Sequence, residues 1–162
     1  MTRYTIDPAT SQVWIEGSSS VHPIHATATG LTGWVEVGDG ALAGEVRIDV
    51  DRLKSGNALV DRETRRRIDA GRHPQIVGVV EAAERVGEGR FDVAGTVAFR
   101  GEVRRVTGEI QFPADGDMLV IEGRQTFDVR EWGLEPPRLG LLKVHPDVDV
   151  RIRLVARRSV SE

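Results

Sequence analysis

Apolar residues recur along this chain mainly at every second position, the pattern of strands with one buried and one wet face. Val13 and Ile15 open it. Leu31, Gly33, Val35 and Val37 continue it, and Val46, Ile48 and Val50 alternate with Arg47 and Asp49. Residues 76–81 form a shorter, more uniformly apolar run. Phe91, Val93, Val97 and Phe99 share one phase, and Val106, Ile110 and Phe112 share another. Leu119, Ile121 and Phe127 follow. Val148, Val150, Ile152 and Leu154 alternate with Asp149, Arg151 and Arg153, the cleanest case in the chain. The pattern predicts eight principal strands, with Tyr4–Ile6 as a short extra one.

Turn residues separate the runs. Gly38-Asp39-Gly40, Gly87-Glu88-Gly89 and Ala114-Asp115-Gly116-Asp117 read as hairpin loops, and Gly101 marks another between Phe99 and Val103. Successive hairpins imply an antiparallel meander. One stretch, 57–71, lacks the two-residue period and is rich in helix formers. Asn57 suits its N-cap, and Gly71 before Pro74 suits its stop. The expected fold is all-β: an eight-stranded antiparallel lipocalin-like β-barrel with one helix between strands four and five. A closed barrel buries an apolar face without leaving strand edges exposed. The domain is expected to span 1–157, with 158–162 as a tail.

The inward phase also names a candidate lining: Val13, Ile15, Val35, Val46, Ile48, Val93, Val97, Phe99, Ile110, Ile121 and Phe127. An eight-stranded barrel is either filled by side chains or holds one small ligand. Gly33, Gly95, Gly108 and Gly123 fall on the inner phase. They mark either strand curvature or room for a ligand, and both readings stay open. Trp14 and Trp34 take the outer phase and are expected to pack beneath the helix or the terminal segments.

Composition narrows the chemistry. The 162 residues contain no cysteine, which excludes disulfides, thiolate metal sites and cysteine nucleophiles. Net charge is −3, and 20 of the 22 cationic residues are arginine, dispersed among 25 acids. No basic field for nucleic acid results. The first residues carry no apolar segment of signal-peptide length, and no stretch has the length of a spanning helix. A cytoplasmic protein without stable membrane insertion is expected. The sequence is compatible with a homodimer, but no exposed apolar stripe forces one.

Polar candidates are few. His22 and His25 would supply imidazoles to a metal only across a turn, because residues three apart on a strand face opposite ways. A small metal- or histidine-dependent enzyme at the barrel mouth is therefore the alternative to binding. A packed interaction or stress-response module is another. On the helix, Asp61 stands one turn before Arg65 and would pair with it. Arg62, Arg66 and His73 are candidates for an entrance that attracts anionic headgroups. No Gly-x-Ser-x-Gly elbow or phosphate-binding glycine loop is present, so no enzyme and no cofactor is expected.

Several motifs carry a resemblance. They are the opening Tyr4-Thr-Ile6-Asp7-Pro8-Ala-Thr-Ser11-Gln-Val13-Trp-Ile15, Leu31-Thr-Gly33-Trp34-Val35 and His73-Pro74-Gln-Ile76. Val93-Ala-Gly95-Thr-Val97-Ala-Phe99-Arg-Gly101, Phe127-Asp128-Val-Arg130-Glu-Trp132-Gly133 and Lys143-Val-His-Pro-Asp147-Val148-Asp-Val150-Arg-Ile152 follow in order. With these motifs the chain resembles the YceI-like family of small lipocalin-like barrels. The resemblance implies a polyisoprenoid or isoprenoid-quinone type of ligand, bound inside the barrel for sequestration or transport.

Overall fold

A computed structural model describes residues 2–21, 23–38, 41–111, 114–115, 117–136, 138–139 and 142–159. The strands are β1 (Thr2–Ile6), β2 (Gln12–Ser18), β3 (Pro23–Thr29), β4 (Thr32–Gly38) and β5 (Ala41–Asp49). Helix α1 (Ala58–Ile68) follows. The remaining strands are β6 (Gln75–Gly87), β7 (Arg90–Phe99), β8 (Glu102–Gln111), β9 (Ala114–Asp115), β10 (Met118–Asp128), β11 (Arg138–Leu139), β12 (Leu142–Lys143) and β13 (Asp147–Arg158).

Eight of these strands close an antiparallel ring in the order β1, β4, β5, β6, β7, β8, β10, β13 and back to β1. The helix follows the fifth strand of the chain, because Pro23–Thr29 forms a strand that the apolar pattern does not announce. The hairpin β2–β3 is not a stave of the ring. It shares the same edge of β13 as β1 does. Ala156–Arg158 pair with β1, and Asp149–Arg153 pair with β2. β3 reaches across to Lys54 through an isolated bridge at Thr27.

Local chemistry explains the joints. Arg100 and Gly101, both at positive φ (58° and 78°), make the tight turn between β7 and β8. Glu88 and Gly89 join β6 to β7 as the glycine pattern predicts. Asp39, Gly40 and Gly116 of the other expected loops lie outside the described residues. Asn57 caps α1 by accepting from Leu59 N (3.0 Å) and Val60 N (3.1 Å). The helix stops at Ile68 rather than at Gly71, since Asp69 takes the left-handed conformation (φ 60°) and closes the C-terminal turn. Arg158 is still paired with Tyr4, and Ser159 N donates to Arg3 O (2.9 Å), so ordered pairing extends past the expected boundary at 157. Among the described residues, no helix is long and apolar enough to cross a membrane.

Two apolar clusters hold the ends. Tyr4, Leu42, Phe91, Leu119, Ile121, Leu154 and Ala156 belong to the main core. At the other end Ile68 of α1 packs with Val50 and Leu134, flanked by Phe99, Ile76 and Val129. The 3-10 turn Val129–Trp132 sits beside them. Trp132 is buried, meets Phe127 edge to face (centroids 5.8 Å) and donates from Nε1 to Val97 O (3.0 Å). Among the described residues three register pairs join β8 to β10, from Gln111↔Glu122 to Glu109↔Arg124. Arg104 Nε donates to Glu131 O (2.9 Å), which ties the turn to the free part of β8.

Of the two places expected for them, Trp14 and Trp34 pack against the terminal strands β13 and β1 and not beneath the helix. They face outward, and each is covered by an arginine of a neighbouring strand. Arg151 lies 4.4 Å from the Trp14 ring centroid and Arg3 lies 4.6 Å from that of Trp34.

Candidate functional site

The inner phase of the ring encloses a cavity of about 450 Å³. Its volume falls within the range of small-molecule sites. The wall is overwhelmingly aliphatic. All eleven residues of the inner-phase set, from Val13 to Phe127, border it. Ile15, Val46, Val93, Val97 and Ile110 are only half-buried although they point inward, since one side of each meets empty space. Phe112, on the same phase in sequence, lies outside the described residues. The interior is hollow, which removes the packed-module alternative in the form stated above.

The inner-phase glycines divide between the two readings. A Cβ on Gly95 would lie 1.8 Å from Val79 O, and one on Gly33 would lie 1.9 Å from Glu45 O. Both are close approaches of neighbouring backbones. Gly95 faces the place where β6 slips register between Val80 and Ala82, a bulge that bends the sheet. Gly33 has φ +140°, a conformation that side chains disfavour. Gly108 is different, for a Cβ there would meet nothing within 4 Å. Gly123 is intermediate, with Ile110 Cγ2 at 3.2 Å and Ile152 Cγ2 at 3.5 Å. Curvature accounts for Gly33 and Gly95, and space accounts for Gly108.

Helix α1 borders the cavity with Val60, Asp61, Thr64, Arg65 and Ile68, positions that share one helical face. Arg62 and Arg66 lie on the opposite face and His73 stands over the Arg100–Gly101 turn, so none of the three borders the cavity. Arg66 is instead held by Glu63 (2.8 Å). Asp61 does not pair with Arg65. Its Oδ1 accepts from Ser55 N (3.0 Å) and Ser55 Oγ (2.6 Å), which fastens the loop ahead of the helix. The helix arginine that borders the cavity is Arg65. Sequence reasoning missed it by treating it as Asp61's partner; the helical register alone would have placed it with Val60 and Ile68.

Gln125 and His145 also border the cavity. Gln125 shares the inner phase of β10 with Gly123 and Phe127. His145 is fixed from two sides: its Nδ1 hydrogen-bonds Ser18 Oγ (2.8 Å), and its backbone N donates to Ser18 O (2.8 Å). With the Ser19↔Val144 bridge, these bonds lash the β2–β3 hairpin to the segment before β13.

His25 turns away from the cavity, 3.9 Å from Glu16 with both side chains exposed. His22 lies outside the described residues. Among the described residues, no three His, Asp or Glu side chains gather as a metal site.

Half-buried carboxylates elsewhere are perturbed by local donors. Asp7 is held below the usual carboxylate range first by the backbone N–H of Ala9, then by Thr10 and Arg157. Asp128 is lowered chiefly by the Arg130 guanidinium and also by its backbone N–H. Glu63 is lowered chiefly by Arg66, with help from Arg67. None of these groups borders the cavity, so they stabilise turns and the helix rather than chemistry at the site.

Solved structures share this architecture. The Burkholderia cenocepacia protein BcnA superposes with a TM-score of 0.82 at 18% identity, covering 93% of this chain and 98% of its own. A polyisoprenoid-binding domain from Saccharophagus degradans, implicated in plant cell wall breakdown, gives 0.78 at 15% identity over 98% of this chain and 100% of its own. The Campylobacter jejuni YceI protein gives 0.68 at 11% identity over 80% and 82%. No curated protein matches the chain. The model of the YceI-like domain matches residues 4–156, nearly the whole barrel from Tyr4 to Ala156, and the protein belongs to that family.

Proposed function

We propose that the protein binds an elongated apolar molecule inside the barrel, of polyisoprenoid or isoprenoid-quinone type, and serves to sequester or carry it. The observation that carries this reading is the aliphatic cavity of about 450 Å³, left open by residues such as Gly108 in the middle of a strand. Family membership and the similarity to a polyisoprenoid-binding domain support it. Burying a methylene contributes roughly 0.8 kcal/mol. Ten such groups give about 8 kcal/mol before ordering costs, on the micromolar scale.

The role is binding rather than catalysis, and the ligand is released unchanged. Extraction of lipid from protein purified without delipidation, followed by mass spectrometry, should recover a stoichiometric isoprenoid. Titration of delipidated protein with geranylgeraniol should saturate at one site. Absence of any co-purified lipid, together with no binding of added polyprenols, refutes the reading.

A further inference from the structure

The wall of the cavity carries one feature that a purely hydrocarbon ligand does not use. Arg65 borders the cavity and is partly buried. Among the described residues its guanidinium has no ion-pair or hydrogen-bond partner. On the same helix Arg66 and Arg67 are engaged by Glu63, and Arg62, which also has no partner among the described residues, lies on the face away from the cavity. The neighbouring Asp61 is turned to Ser55. Gln125 likewise lies on the inner phase, borders the same cavity and has no hydrogen-bond partner among the described residues. Gln125 is exposed and open to water, whereas the half-buried Arg65 guanidinium faces an apolar wall that offers it no acceptor.

We propose that the natural ligand is an amphiphile with a single carboxylate head, which pairs with Arg65 while its apolar chain fills the barrel. The proposal rests on the apolar-carrier reading above and names the head of that ligand. A carboxylate fits the fork of one guanidinium bidentately. The charge balance favours it over a diphosphate. Of the other charged residues at the wall, Arg124 belongs to the outward phase of β10 and is paired with Asp149 (3.8 Å). Glu45 and Glu109 also take outward phases, paired with Arg47 (3.2 Å) and Arg90 (3.3 Å). Asp61 adds a negative charge one helical turn from Arg65. Among the described residues that border the cavity, one free cation beside one carboxylate accommodates one negative charge and repels more.

The test compares three probes with the same chain: geranylgeranoic acid, geranylgeraniol and geranylgeranyl diphosphate, titrated into delipidated protein by calorimetry. The acid should bind at least tenfold tighter than the alcohol, and tighter than the diphosphate. In Arg65→Gln the affinity for the acid should fall to the level of the alcohol on the unsubstituted protein. Arg62→Gln, a charge change on the opposite face of the helix, should keep the preference. Equal binding of acid and alcohol, a preference that survives Arg65→Gln, or tighter binding of the diphosphate overturns the proposal while leaving the carrier reading intact. Failure of all three probes to bind overturns both. Unchanged circular dichroism and melting of Arg65→Gln confirm that the loss is local.

Discussion

Ser11 completes the broken edge of β13 at Val155. Its Oγ accepts from Val155 N (3.0 Å) and donates to Val155 O (3.3 Å), while Asp7 N also donates to that carbonyl (2.7 Å). The gap exists because β1 leaves β13 at Ala156 and β2 joins it only at Arg153. A side chain 1% exposed thus replaces a missing rung of the ladder.

Replacing Ser11 by alanine leaves Val155 N–H buried without an acceptor. The expected cost is about 1–3 kcal/mol, read as a lower denaturation midpoint at an unchanged urea m-value. A loss below about 0.3 kcal/mol would show that water takes over the rung.

Gly95 and Gly108 should respond oppositely to a side chain. Gly95→Ala drives a Cβ against Val79 O and should cost about 1–3 kcal/mol in strain. Gly108→Val meets open space and should gain about 0.5–1 kcal/mol from lower backbone entropy in the unfolded chain. Thermal melting of the two variants decides the sign of each.

Occupying that space should also block ligand. Gly108→Leu is expected to melt no lower than the parent protein and to weaken geranylgeraniol binding at least tenfold. Undiminished binding by Gly108→Leu would place the chain elsewhere in the barrel.

Strand phase was the most legible part of this fold, because a two-residue period fixes which side chains point inward. The eleven inner positions follow from it directly. β3 escaped the same reading since its inward residues are Ile24, Ala26 and Ala28, and two alanines carry little apolar signal. The end of the helix depended on Asp69 adopting a left-handed conformation, which a nearby glycine made harder to foresee. Arg65 was hidden by a local rule: i, i+4 pairing with Asp61 is ordinary on a solvated helix, and it lost here to the short Ser55–Asp61 hydrogen bond.

Acid should destabilise the fold through Asp7, Glu63 and Asp128. Each has a folded-state pKa below its unfolded value, so its contribution is complete above the unfolded pKa and is lost as pH falls through the folded one. The melting temperature should be flat from pH 7 to about 5 and fall below roughly pH 4. Asp128→Asn should flatten part of that slope. Added salt should weaken the Arg-held Glu63 and Asp128 contributions more than that of Asp7, whose leading partner is a backbone N–H.

Trp132 plugs the end of the barrel where β8 and β10 lose their pairing. Trp132→Phe keeps the ring against Phe127 but drops the bond to Val97 O, for an expected loss of about 0.5–1.5 kcal/mol. Trp132→Ala removes both and should cost about 3–5 kcal/mol. Chemical denaturation distinguishes the two.

The pairing of β1 with β13 joins the opening strand to the last one, with Tyr4 opposite Arg158. Ring closure therefore waits for β13 to be made: a nascent chain short of Asp147 has no stave to seal β10 against β1. Until then the oily lumen stands open on the ribosome, and such long-range closure is intrinsically slow. The stage at which the barrel is most exposed to aggregation is also the stage at which a waiting hydrocarbon chain would find its widest door.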